Sequence, residues 1–285
     1  MRTLDPAAAD FFVMPIHGRR HTMRDKAFDT ARMSQGIVGQ RLTLPMLQDG
    51  VRVVWPLAVD DDGSNAYPGI VALLRREHED VDERGRHIFL TAHGLHVGHS
   101  WMGTKGSFRP GQDVVIPTEE YAQRYTGSRA CDFFSGQRST KLLFKGTVLP
   151  EPRLGNVRLI MSETLAPLVT NRSDFVLVDT SNEAKVSDAL FSLHLHGRVG
   201  GFAQRDYIGM LDGSLPVFGM SNTSFVYEEI YPPKSYGLVV EQTQLHLLPV
   251  TLDHLSPRRV MQMRHKASAA CLGYLPPGGT FTSRM

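Results

Sequence analysis

Cysteine is nearly absent, with two residues, Cys131 and Cys271, in a chain of 285. Two thiols can form one disulfide or none. They exclude a disulfide-stapled scaffold and a cysteine-rich zinc site. An excess of either charge is also lacking: 31 Lys and Arg stand against 29 Asp and Glu, a formal net charge of +2. That balance gives no electrostatic reason for a nucleic acid or an anionic membrane as partner. Aromatic residues make up 8% and are not interleaved with basic runs, so the stacking platform of a single-strand binder is missing. No run reaches the ~18 apolar residues of a membrane helix. The first residues, MRTLDPAAADFF, show no signal-peptide core. There is no internal repeat and no low-complexity tract. The phosphate loop G-x-x-x-x-G-K-[ST] and the nucleophile elbow G-x-S-x-G are both absent, which disfavours a P-loop ATPase and an α/β-hydrolase.

What remains is ordinary for a globular protein. Hydrophobic residues are 41% and charged residues 21%, and 285 residues can bury one large core or two smaller ones. Short apolar runs alternate with helical patterns. Strands are expected at residues 9–16, 52–58, 87–92, 113–116, 141–145, 174–178, 190–195, 215–218 and 236–241. Helices are expected at 21–35, 40–48, 69–81, within 152–168, and at 204–211 and 256–272, the last with Ser256-Pro257 as N-cap and first helical residue. Alternation of this kind predicts parallel, doubly wound sheets, with ligands outside the carboxyl ends of the strands. The polar stretch 118–139 is the expected crossing between two halves. Asp60-Asp61-Asp62 reads as a solvated turn, since the alternation of a calcium loop is missing. Two N-x-S sequons begin at Asn171 and Asn222 and mildly favour a secretory context.

The densest signal is at 189–230. An apolar strand runs into His196-Gly197-Arg198-Val199-Gly200-Gly201, then a helix, then Asp212-Gly213 with glycine placed for a C-cap, then the short strand at 215–218. A strand feeding a glycine loop at a helix start suits a phosphate, because free backbone N–H groups and the helix dipole face the anion.

An ordered set of segments resembles the exostosin family of glycosyltransferases. TLDPAAADFFVMP over residues 3–15 is similar to the family's T-x-D-P-x-x-A-D-F-F-F-V-P. RHIFLTAH over 86–93 resembles D-H-x-F-x-x-x-H, and QDVVIP over 112–117 resembles K-D-V-V-I-P. RSTKLLFKG over 138–146 resembles R-x-x-L-L-F-F-x-G, with Arg158 at a later family arginine. RDYIGMLDGSLPV over 205–217 resembles R-L-x-E-A-x-x-A-G-C-I-P-V, and FVYEEI over 225–230 follows as the P-F-E-x-V segment. The resemblance implies an α/β protein of the GT-B type: two Rossmann-type domains with parallel sheets facing a central cleft. Residues 1–125 would form the acceptor-side domain and 126–285 the domain that binds the nucleotide sugar. It also implies that this chain begins inside the first domain, leaving that domain incomplete, and that the family's usual setting is the Golgi lumen behind a membrane anchor.

The implied reaction is inverting transfer of a sugar from a UDP-sugar to a glycan or glycoprotein hydroxyl, with no metal and no other cofactor. A leaving diphosphate needs cations or backbone donors, and the acceptor hydroxyl needs a base. Arg205 is the leading diphosphate ligand, since a guanidinium can pair two phosphate oxygens. Gly197, Gly200 and Gly201 would admit the phosphate, Arg138, Gly146 and Arg158 would add to the donor site, and Glu228 would contact the donor. His93 is the expected base. His93, His96 and His99 repeat every third residue, yet Gly94 and Gly98 favour a loop over a metal site. The chain departs from the family at three points in this region. Ile208 stands where a glutamate would hold nucleoside hydroxyls, Gly209 replaces an alanine and Ser214 a cysteine; a fourth departure is Gly94, where an acid often follows the histidine. The alternative expectation is therefore a catalytically impaired exostosin-like protein that binds glycan or partners a paralogous transferase.

Overall fold

The computed structural model describes residues 108–116, 131–148, 157–178, 185–196 and 209–274, residues 94 and 96, and the strand segments named next. The expected helices at 21–35, 40–48 and 69–81 lie outside the described residues, as does most of the stretch at 118–139. Strands β1 (Phe11–Val13), β2 (Arg52–Leu57), β3 (His87–Thr91) and β6 (Val114–Val115) pair in parallel in the order β1-β2-β3-β6. Between β3 and β6 lies an antiparallel pair, β4 (Ser100–Trp101) and β5 (Thr104–Lys105).

A five-stranded sheet follows. It is built from β7 (Thr140–Lys145), β8 (Phe175–Val178), β9 (Ala189–His194), β10 (Leu215–Phe218) and β11 (Leu238–Val239). All pairs are parallel, in the order β11-β10-β9-β7-β8. Counted from β7, that order is 2-1-3-4-5. The chain moves outward one way from β7 to β8, then returns to build β9, β10 and β11 on the other side. The winding reverses between β7 and β9, and open sheets of this kind bind their ligands outside the carboxyl ends at such a reversal. The fold is an α/β domain of Rossmann-like character.

The strands are short and apolar because both faces are covered. Leu215, Pro216, Val217 and Phe218 are all buried. Helix α1 (Val157–Thr164) and helix α2 (Ala166–Val169) turn Val157, Met161, Leu165 and Val169 inward at four-residue intervals, one stripe of a helical surface. Two short helices, α3 (Pro233–Tyr236) and α4 (Leu248–Asp253), precede the long terminal helix α5 (Pro257–Tyr274). Met263, Ala267, Ala270 and Cys271 form the fully buried stripe of α5. The Ser256 hydroxyl accepts from the Arg259 N–H at 3.2 Å, so Ser256 is the N-cap its sequence position predicts. Among the described residues no helix is long and apolar enough to cross a membrane.

Residues 209–211 are helical. Gly213 N–H donates to the Met210 carbonyl at 2.9 Å and Ser214 N–H to the Gly209 carbonyl at 3.0 Å, a Schellman closure. Gly213 has φ +72, and a Cβ there would strike the Asp132 carbonyl. Immediately after, Ser214 is fully buried and its hydroxyl has no hydrogen-bond partner among the described residues.

Ion pairs fasten α4 to the amino end of the five-stranded sheet. Arg172 donates to Asp174 at 2.7 Å and to Asp253 at 2.7 Å, and Lys141 donates to Asp253 at 2.6 Å. Hydrogen bonds from Arg172 hold both carboxyls below the usual carboxylate range. Their contribution is present above about pH 4 and is lost as pH falls toward their depressed values. Solvent screening keeps it small.

Cys131 and Cys271 form a disulfide, with Cα atoms 5.7 Å apart, across 140 residues of sequence. It joins the start of the five-stranded unit to the last turn of its final helix. Two stability changes are expected in urea denaturation followed by circular dichroism. Cys271→Ser should cost about 2–5 kcal/mol, the range for a native disulfide. Ser214→Ala should instead raise stability by about 1 kcal/mol, because it removes a desolvated, unpaired hydroxyl.

Candidate functional site at the carboxyl ends of the five-stranded sheet

The two ends of this sheet carry different chemistry. At the amino end sits Arg138, two residues before β7. Its guanidinium donates to the carbonyls of Ser187 at 2.6 Å, Ala189 at 3.1 Å and Asp132 at 3.1 Å, and more loosely to that of Asp212. These carbonyls lie at the start of β9, just ahead of β10, and in the turn that follows Cys131. Burial, and the nearby Arg264, hold the Arg138 pKa below its ordinary value, against the pull of Asp132 and Asp188; a guanidinium nonetheless stays charged. The structure thus places Arg138 at the far end of the sheet from the carboxyl ends, acting as a clip on the backbone.

At the carboxyl end the winding reversal gathers three elements. Gly146 closes β7, is buried, and donates its N–H to the Val178 carbonyl at 2.9 Å. Arg158, in the first turn of α1, donates to the Thr147 carbonyl at 2.9 Å and lies 5.9 Å over the Phe144 ring. His196 leaves β9 beside them and is 3% exposed. Burial pushes its pKa down to about 4, with the Arg158 charge adding to the effect and the Ser221 carbonyl opposing it. The imidazole is therefore neutral at pH 7. Its Nε2–H reaches the Ser221 carbonyl at 3.3 Å, and the Thr223 hydroxyl lies 3.4 Å from the same nitrogen. The Ser221 hydroxyl donates in turn to Glu241 Oε2 at 3.1 Å, just past β11.

A second contact binds the loop after β10 to the strand set of the other sheet. Ser224 N–H donates to the Gly94 carbonyl at 2.9 Å, His96 N–H to the Asn222 carbonyl at 3.0 Å, and Tyr227 N–H to the Val115 carbonyl at 3.0 Å. His96 Nε2 lies 3.1 Å from the Ser224 hydroxyl, which donates to Glu228 Oε1. Glu228 Oε2 accepts the Phe225 N–H at 3.0 Å. Glu228 is thus placed as a brace within its own loop. Gly94 permits the approach, since a Cβ there would overlap the Ser224 carbonyl. Close by, a buried Asp113 carboxylate takes both a bidentate grip and a backbone N–H from Arg109, which shapes the turn into β6.

Of the residues expected from sequence, Gly146 and Arg158 are brought together at the carboxyl ends, Glu228 stands in the inter-sheet contact, and Arg138 is at the opposite end. His93, Gly197, Gly200, Gly201 and Arg205 lie outside the described residues. His194 ends β9 and His196 lies two residues beyond it, and their partners differ. His194 pairs with Ser192, Nε2 to Oγ at 2.8 Å, inside the sheet, whereas His196 reaches Ser221 and Thr223. Ser221 and Glu241 carried no motif. Their signal was positional, each just beyond a short apolar run. Among the described residues no group of three or more His, Cys, Asp or Glu side chains could hold a metal ion. No protein-family model and no curated protein matches the chain.

Two measurements test this geometry. Between pH 6.5 and 4 the unfolded chain protonates its histidine while native His196 stays neutral, so His196 makes stability fall as pH falls through that window and level off below it. The loss is on the order of 3 kcal/mol. Burial also raises the Asp212 pKa to about 6. That contribution has the opposite slope, present at low pH and lost as pH rises toward 6. His196→Gln should keep a donor for Ser221 and remove the first slope alone, seen as a smaller stability loss on going from pH 6.5 to 4. Arg138→Ala should cost about 2–4 kcal/mol in the same assay, because several carbonyls lose a charged donor.

Proposed function

We propose that the chain is a transferase that uses a nucleotide sugar, moving the sugar to a glycan hydroxyl with inversion. The observation that carries this reading is the winding reversal between β7 and β9, whose carboxyl ends bear a cation, a buried glycine and a neutral histidine. Open parallel sheets bind nucleotides at such a reversal. Arg158 would share the diphosphate charge with Arg205, and Gly197, Gly200 and Gly201 continue directly from His196. The exostosin-like motif order supports the sugar donor, and UDP is its expected nucleotide. The acceptor hydroxyl would attack the anomeric carbon while the bond to the phosphate oxygen breaks. His93 would take the hydroxyl proton, and UDP would leave with its charge on the arginines. In this reading the contact of residues 94–96 with 222–228 joins acceptor-side and donor-side halves of a GT-B arrangement. The Cys131–Cys271 disulfide supports an oxidising compartment, which suits the Golgi lumen. Ile208, which cannot accept a hydrogen bond, favours the second reading, a glycan-binding or partner subunit with a weakened donor site.

Calorimetric titration of the full chain with UDP separates the two. Binding is expected, and Arg158→Ala should weaken it about tenfold while Arg138→Met, if folded, leaves it unchanged. A folded chain that takes up no UDP heat would overturn the transferase reading.

A further inference from the structure

The residues along the carboxyl edge form a graded polar track. Arg158 stands beside β7, His196 follows β9, Ser221 follows β10 and Glu241 follows β11. These strands are consecutive neighbours in the sheet. Ser221 touches both of its neighbours through different groups: its backbone carbonyl accepts from His196, and its hydroxyl donates to Glu241. Along the strand ends the groups thus change from the Arg158 guanidinium, past the neutral His196 ring and Ser221, to the Glu241 carboxylate. With strands about 4.8 Å apart, β9 and β11 lie about 10 Å from each other.

Glu241 is exposed. It precedes the 3-10 turn Gln242–Leu247, yet its side chain makes no cap there. Among the described residues its carboxylate has one hydrogen bond, from Ser221. A carboxylate can accept about four, so capacity remains on both oxygens. Glu228 is unlike it, since both its oxygens are engaged within the loop at Ser224 and Phe225.

We infer that Glu241 is the acceptor for the ribose hydroxyls of the bound nucleotide, which lies along the strand ends with its diphosphate at Arg158 and its nucleoside over β10 and β11. This rests on the nucleotide-binding reading above and adds its orientation. It also supplies the hydroxyl-binding carboxylate that Ile208 cannot. An anion at the Arg158 end and hydroxyl donors at the Glu241 end match the track; the reverse orientation would set phosphate against a carboxylate.

The test compares UDP with 2′,3′-dideoxy-UDP by calorimetry on the full chain, in wild type, Glu241→Gln, Glu241→Ala and Arg158→Ala, each checked for an unchanged melting transition. Wild type should prefer UDP about tenfold or more, the scale of hydrogen bonds to a charged acceptor. Glu241→Ala should erase that preference, and Glu241→Gln should reduce it. Arg158→Ala should weaken both ligands and keep the preference. If Glu241→Ala still prefers UDP as wild type does, the assignment of Glu241 is overturned while nucleotide binding stands. If wild type binds both ligands equally, the ribose is not read and the assignment is likewise overturned. If wild type binds neither, the nucleotide reading falls, and this inference with it.

Discussion

Arg138 gathers the loose ends of three strands. Its guanidinium takes carbonyls ahead of β7 and β10 and at the start of β9. Desolvated carbonyls without donors are costly, and one charged fork with several N–H groups serves several carbonyls at once. The neighbouring ion pairs of Lys141, Arg172, Asp174 and Asp253 add a second fastening at the same edge. With that end closed by side chains, the opposite edge can present backbone and polar groups without loss of register. The placement of Gly146, Arg158 and His196 depends on this division of labour.

The strands of the five-stranded sheet were legible because each is a short apolar run bounded by polar or glycine residues. Expected and observed bounds agree within about two residues at β7, β8, β9 and β10, and β11 is shorter than its apolar run. The terminal helix was legible from Ser256-Pro257. Strand order was not legible, since it depends on which runs neighbour each other in space. The role of Arg138 followed the same limit. A motif gives the residue before a strand, but which sheet edge that residue occupies, and whether nearby carbonyls need it, emerges only from the folded arrangement. The disulfide was one of two open possibilities, and proximity decided it.

Three departures from the exostosin-like pattern acquire physical reasons. At Gly94 the Ser224 backbone occupies the volume of a side chain, so an acid has no room. At Gly209 a Cβ would meet the Ser192 hydroxyl at 2.7 Å and the His194 ring at 3.0 Å; the internal Ser192–His194 hydrogen bond occupies the space an alanine methyl would need. At Ser214 the hydroxyl sits in a site that offers it no partner among the described residues, the environment expected of a small apolar or thiol side chain. The first two are compensated by their neighbours, and the third is a residual cost.

The disulfide spans Cys131 to Cys271, and β7 through β11 all lie between them. When oxidised, the five-stranded unit is thus a closed ring of chain even after it unfolds. Its strands can separate but cannot drift to the distances of an open coil. The ring can close only once Cys271 has been synthesised, so every strand of the sheet leaves synthesis on a chain that is still linear. A chain held reduced would face the same sheet order without that tether.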